Sequence, residues 1–221
     1  MAQFVSQYWH PAVATDIALY TLRHGELNLL CVKRKDSGEW ALPGGFITEG
    51  ENLDQCAARE LKEEAGVEVP YLQHFANYSD PKRDNRGQVI SVAYVAIHPS
   101  GKLRLKADTD VSDVNWFSTS QIPDLAFDHN KIATDAKSFL AGLVESRPEM
   151  VFAFHHAAFT LSELQQTFEA IAGEKFAPHN KRNFRLWVER FSGVGLVVET
   201  GDVRTGAHRP AKLYQPNPKL F

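Results

Sequence analysis

Short apolar runs alternate with turn residues through the first half of the chain. Asp16 to Tyr20, Asn28 to Val32 and Val89 to Ile97 each read as a β-strand, and together they imply a mixed sheet. Between them, Asn52 to Ala65 places Leu53, Ala57 and Leu61 at intervals of four, with Asn52 set to cap the first turn and Gly66 just past the last. That pattern predicts an amphipathic helix packed on the sheet. Ile132, Ala136, Phe139, Leu140 and Leu143 mark a second helix within His129 to Ser146, and Pro148 stops it.

Beyond Pro148 the pattern changes. Thr160 and Glu163 have the spacing of a capping box for a helix with the apolar stripe Leu161, Leu164, Phe168 and Ile171, closed by Gly173. Asn180 is placed to cap another helix, with Phe184, Trp187, Val188 and Phe191 inward and Gly193 after its end. GLVVET, a turn at Gly201-Asp202, a polar tip and Ala211 to Gln215 then read as a hairpin with a long loop. Helix, turn, helix, hairpin is the order of a winged helix-turn-helix. The boundary expected near residues 147–151 divides the chain into an α+β domain, 1–148, and a winged helix-turn-helix domain, 149–221.

Composition adds little to this and charge adds more. The 221 residues suit one and a half to two domains, and 43% hydrophobic with 23% charged residues is ordinary for a globular protein. Cys31 and Cys56 sit in apolar sequence without CxxC spacing, so packing as free thiols is expected. The start MAQFVSQYWHPAVATD lacks the features of a signal peptide, and no stretch approaches the ~20 apolar residues of a membrane span. No membrane partner is expected, and a cytoplasmic location follows. Residues 1–150 hold 15 Lys+Arg against 21 Asp+Glu, whereas residues 151–221 hold 9 against 6. An acidic first part and a basic second part suit metal binding and polyanion binding respectively.

Glu60, Glu63 and Glu64 share one face of the first helix, since each residue advances about 100°. Glu51 precedes that helix and can fold back toward the same point, beside the glycine turn Gly44-Gly45. Such an oxygen cluster suits Mg2+ bridging to phosphate. Gly45, five residues, Glu51, seven residues, then Arg59-Glu60-Leu61, Glu63-Glu64 and Gly66-Val67 matches the Nudix box at every specified position. The resemblance implies the Nudix fold, a mixed sheet between helices, and a nucleoside diphosphate linked to another group as ligand. It also implies that Glu60, Glu63 and Glu64, with Glu51 near them, hold Mg2+ or Mn2+. The catalytic set would be Glu60, Glu63 and Glu64, with Arg59 orienting the acids.

YSDPKRDNRGQVISVAYVAI is similar to the segment that follows the box in ADP-ribose pyrophosphatases and their regulatory relatives. Arg83 and Arg86 there either clamp phosphate or ribose, or belong to a solvated basic loop. Arg34, Gly44, Gly45 and Phe46 are expected at the ligand, and among the tryptophans Trp40 stands nearest the glycine turn. His155-His156 has no acid or Cys nearby and reads as a loop or interface pair.

In the last helix Lys181, Arg182, Asn183 and Arg185 point outward, and the hairpin adds Arg204, His208, Arg209 and Lys212. A helix of this kind reads base edges in the major groove while a basic wing holds phosphates. FTLSELQQTFEAIAG, then NKRNFR, then a wing ending RPAKLY behind a Nudix box is similar to the Nudix-related transcriptional regulators (NrtR), bacterial repressors of NAD metabolism. That resemblance implies a homodimer paired through the Nudix part on palindromic double-stranded operator DNA, released by ADP-ribose or a related nucleotide sugar. Two functions stay open. One is a repressor that senses such an effector; the other is a Mg-dependent ADP-ribose pyrophosphatase giving AMP and ribose 5-phosphate.

Overall fold

Alternation along β1 (Ala12–Arg23) sets the architecture: Ile17 and Leu19 join one apolar cluster, Ala18 and Tyr20 another. A strand buried on both faces has to lie between two layers. The computed structural model describes residues 7–99, 110–173, 180–205 and 210–220. In it, α1 (Leu53–Ala65) covers the Ile17 face with Ala57, Leu61 and Ala65. Helix α2 (His129–Ser146) covers the Tyr20 face with Ile132, Ala136 and Leu140. The expected mixed sheet between helices is what forms.

The sheet opens at one end, and the opening positions everything that follows. β1 pairs antiparallel with β2 (Glu26–Arg34) only through Tyr20–Arg23, then through Ala14–Asp16 with β4 (Gly44–Phe46). β2 in turn pairs with β3 (Trp40–Ala41) at Val32 and Lys33. Two neighbouring strands thus part, and two short strands occupy the wedge. On the other side, β1 runs parallel to β6 (Val89–Ile97), which pairs with β5 (Tyr71–Tyr78), while β7 (Val111–Ser118) flanks β2. β5 and β7 were not expected from the sequence, and both are edge strands: half-exposed residues or interspersed Ser, Asp and Asn hide their period.

The caps behave as their chemistry requires. Asn52 accepts from the Gln55 amide while the Gln55 side chain returns to the Asn52 amide, and Gly66 ends α1 in the left-handed region at φ 69°. Thr160 and Glu163 make the reciprocal pair that starts α3 (Leu161–Ala172), and Asn180 starts α4 (Lys181–Arg190). Cys31 and Cys56 are buried free thiols. One expectation is corrected: Gly201-Asp202 is not the hairpin turn. β8 (Val197–Arg204) continues through it by a bulge between Glu199 and Val203, with Gly201 at φ 89°, and pairs with β9 (Ala211–Pro216). The polar tip carrying His208 and Arg209 lies outside the described residues.

Helix α3 packs on α2 and β2 and supports α4 and β9. Its Phe168 is fully buried, 5.8 Å from the Phe184 ring and 5.2 Å from that of Trp187. One apolar cluster runs without a break from Tyr20 and Leu140 to Phe168, Phe184 and Tyr214. The winged helix therefore shares the core of α2 instead of hanging on a linker. Among the described residues, no helix is long and apolar enough to cross a membrane. Phe168→Ala should cost about 3–5 kcal/mol of unfolding free energy in urea titration, the usual loss for a large buried aromatic; a loss below about 1 kcal/mol would mean that this cluster is not a shared core.

Candidate functional site

Arg59 is the hub of the acidic cluster. Its Nε and Nη2 donate to the two Glu51 oxygens at 3.0 and 2.7 Å, its Nη1 to Glu60 at 2.7 Å and Glu63 at 3.0 Å, and Nη2 also to the Phe46 carbonyl at 3.1 Å. These bonds hold the Glu51 carboxyl down at about 2. Burial pushes Glu60 up despite Arg59. Glu64 stands apart, accepting from the Gly44 amide at 2.9 Å. Burial, with Glu60, Asp16 and Asp110 adding to it, pushes Glu64 up to about 8. A Cβ on Gly45 would overlap the Glu60 carboxylate and one on Gly44 the Thr15 carbonyl, so the glycine turn exists to let β4 approach the acids.

Four carboxylates are the donor set of a hard divalent cation. Three of them, however, are already bonded to Arg59, and among the described residues no three His, Cys, Asp or Glu side chains form a group that could hold a metal ion. As it stands the arrangement is a carboxylate cage around a guanidinium. A metal ion there has to compete with Arg59.

A second network lies across the wedge. Asp16 on β1 is 6% exposed, and its carboxylate accepts from Ser91 at 2.5 Å and Arg83 at 3.0 Å, with His129 Nε2 at 3.3 Å. His129 Nδ1 accepts from the Leu42 amide at 2.9 Å, which leaves Nε2 to carry the proton that faces Asp16. Burial works against the Asp16 charge, but His129, Ser91 and Arg83 outweigh it and hold the carboxyl well below the usual range. Arg83 also forks onto Asp128 at 2.6 and 3.1 Å, and its side chain is 4% exposed. Arg83, expected either at a ligand or in a solvated basic loop, has its guanidinium engaged in this buried ion pair and is not solvated.

Between the networks opens a cavity of about 680 Å3, lined on one side by Glu60, Glu63 and Glu64 and elsewhere by Arg34, Phe46, Arg86 and Phe127. Arg34 lies 4.7 Å over the Phe127 ring, Arg86 lies 5.2 Å over Phe127 and 5.6 Å over Phe46, and Asp36 and Asp84, which also line the cavity, pair with the two guanidiniums. Acids on one wall and a cation–aromatic wall beside it suit a ligand with a charged middle and a flat end. Gly44, Gly45, Phe46, Arg34, Arg83 and Arg86 all line it. Trp40 does not; its ring packs edge-on against Phe117 at 4.9 Å. Asp16, Phe127 and His129 were missed in the sequence because no local spacing links them.

On the winged helix, Lys181, Arg182, Asn183 and Arg185 are exposed, opposite the buried Phe184 and Val188. Arg185 bonds Glu189 at 2.8 Å along the helix. Lys181 and Arg182 have no carboxylate within ion-pair distance among the described residues. The wing differs: Arg204 bonds Glu163 and the Ala158 carbonyl, and Lys212 bonds Glu199 at 2.9 Å. Arg209 lies outside the described residues. His155 is half-buried against Phe159 and Thr167, and His156 is exposed, 5.8 Å from the His98 ring.

Residues 10–140 match the NUDIX domain, and residues 151–215 match the NrtR DNA-binding winged helix domain. The sequence is 32% identical over 217 residues, 95% of this chain and 84% of the relative, to the ADPR responsive transcriptional repressor NtrR of Acinetobacter baylyi. It is 39% identical over 132 residues, 58% of this chain and 74% of the relative, to an ADP-ribose pyrophosphatase of Methanocaldococcus jannaschii. Shewanella oneidensis NrtR complexed with a 27mer DNA has the same architecture, with a TM-score of 0.78 at 32% identity over 94% of each chain. The NUDIX domain of that protein complexed with ADP ribose matches with a TM-score of 0.55 at 32% identity, over 60% of this chain and 90% of that one.

The Glu64 carboxyl, raised from 4.5 to about 8, gives the cavity a pH signature. Between those values the folded protein keeps a proton that the unfolded chain has released, so this group lowers stability as pH rises through the window. In metal-free buffer, Glu64→Gln should gain stability relative to wild type from about pH 5 to about pH 8. Parallel stability profiles for the two proteins would refute the burial of this carboxyl.

Proposed function

The chain belongs to the NrtR family, a Nudix domain followed by a DNA-binding winged helix, and from that premise we propose that it is a transcriptional repressor whose Nudix cavity senses ADP-ribose or a related nucleotide sugar. The observation that carries this reading is the basic outer face of α4, Lys181 and Arg182 foremost, mounted on a domain that shares its core with the cavity. A hydrolase has no use for that face. Lys181, Arg182, Asn183 and Arg185 enter the major groove of double-stranded operator DNA. On the wing, the internal pairs of Arg204 and Lys212 leave those two a smaller share of the DNA contact. A homodimer places two such helices on the half-sites of a palindrome.

In the cavity, the diphosphate of the effector lies between the acids and Arg34 and Arg86, and its base lies against the exposed ring of Phe46. Release of DNA needs only that ADP-ribose prefer the DNA-free arrangement of the two domains. With Arg59 displaced, Glu51, Glu60, Glu63 and Glu64 would be the residues to hold Mg2+ or Mn2+, which would supply positive charge to the diphosphate.

A second reading, a pyrophosphatase acting on ADP-ribose, is favoured by one observation: all four acids and Arg59 are present and assembled. AMP and ribose 5-phosphate formed from ADP-ribose with Mg2+, read as the phosphate that a coupled phosphatase then releases from them, test it. Turnover that disappears in Glu64→Gln supports hydrolysis at this site, and turnover that survives removes the box from the mechanism.

For the repressor, fluorescence anisotropy with a duplex from the promoter beside the gene should show DNA binding that ADP-ribose weakens by about 5- to 150-fold. Arg182→Ala should weaken it further and lower the slope of log affinity against log salt by about 1. No binding at moderate salt, or an unaltered slope, would contradict the assignment of α4.

A further inference from the structure

Phe127 has φ 57°, one of three non-glycine residues with positive φ among those described. A bulky side chain pays for that conformation in crowding between Cβ and the neighbouring carbonyl, and keeps it only where its surroundings over-determine it. Here Arg34 lies 4.7 Å and Arg86 5.2 Å from the ring and the His129 ring 5.3 Å away, while the side chain also packs on the cluster of Val32, Ala41, Val111 and Ala126 and the Ala126 amide donates to the Trp40 carbonyl. The next two residues begin α2. Asp128 is forked by Arg83, and His129 is fixed by Leu42 and Asp16. Helix α2 packs on α3, which in turn contacts α4.

Both cations that hold the ring also line the cavity. A guanidinium makes stronger, bidentate bonds to phosphate than to an aromatic face. A diphosphate in the cavity therefore competes directly with the Phe127 ring for Arg34 and Arg86. We infer that Phe127 is the relay of the switch: capture of the effector's diphosphate by Arg34 and Arg86 withdraws the cations from its ring, its backbone leaves the left-handed region, and α2 carries the displacement to the winged helix. This rests on the repressor reading and adds the residue through which effector and DNA are coupled. The two-state element is the Phe127–His129 start of α2, which both sites bias.

The test is the coupling ratio, the DNA Kd at saturating ADP-ribose over that without it, measured by anisotropy on the full chain with calorimetry confirming saturation. Phe127→Gly and Phe127→Asn remove the ring and place residues that tolerate positive φ. Both should bind DNA within about threefold of wild type in the absence of ADP-ribose, and their ratio should fall to under about twofold, where wild type shows about fivefold or more. Phe127→Tyr, which keeps the aromatic face, should keep the wild-type ratio.

A wild-type ratio in Phe127→Gly and Phe127→Asn overturns the relay, as does a lost ratio in Phe127→Tyr. So does complete loss of ADP-ribose binding in the two ring-less variants, since Phe127 would then be a ligand contact. A wild-type protein whose DNA binding ignores ADP-ribose and related nucleotide sugars removes the repressor reading itself, and the relay with it. If wild type responds and the variants respond alike, only the relay falls.

Discussion

A carboxylate taken out of water stays charged only if its partners replace the solvent, and Asp16 is such a group in the middle of the opened sheet. Its partners come from three places: Ser91 on β6, Arg83 in the loop before β6, and His129 at the first turn of α2. Removing any one of them leaves a buried charge short of a bond, so the three are locked in relative position. Arg83 passes the constraint to Asp128, and His129 passes it to the Leu42 backbone. The wedge between β1 and β2 consequently has a fixed floor, and the start of α2 belongs to it.

On that floor the cavity has two unlike walls. The acids of α1 are satisfied internally, by Arg59 and by the Gly44 amide, so the wall is assembled before any ligand or ion arrives. The cation–aromatic wall beside it is held by carboxylates too, Arg34 by Asp36 and Arg86 by Asp84, but its guanidiniums also rest on aromatic faces, contacts that a diphosphate can replace. A diphosphate meets acids on one side and those cations on the other. Movement is then expected at Arg34, Arg86 and Phe127, next to the helix that supports the winged domain. That placement suits a sensor, whose output depends on differential binding and does not require turnover.

Much of this was legible in the chain because it is local. Caps at Asn52, Thr160 and Asn180, the Nudix spacing, and the stripe of α2 each lie within a few turns of sequence, and the structure repeats them. What was not legible is long-range. Asp16 meets His129 across more than half the chain, and nothing near either residue announces the other. Arg83 looked like a free cation beside a strand; Asp16 and Asp128, distant in sequence, engage it. Arg204 and Lys212 looked like wing phosphate contacts, but Glu163 and Glu199 face them once the hairpin folds. The turn at Gly201 failed for another reason: a glycine that permits positive φ serves a bulge as well as a turn.

Linkage makes the relation between cavity and DNA reciprocal, so it can be read from the ligand side alone. Isothermal titration of ADP-ribose into the free protein, and into the protein saturated with its promoter duplex, compares the two affinities directly. A Kd at least about fivefold weaker in the DNA complex is the expected result, matching the factor by which ADP-ribose weakens DNA binding. Equal affinities would mean that the Nudix cavity and the winged helix are not coupled, and would leave this chain an ADP-ribose-binding domain with an independent neighbour.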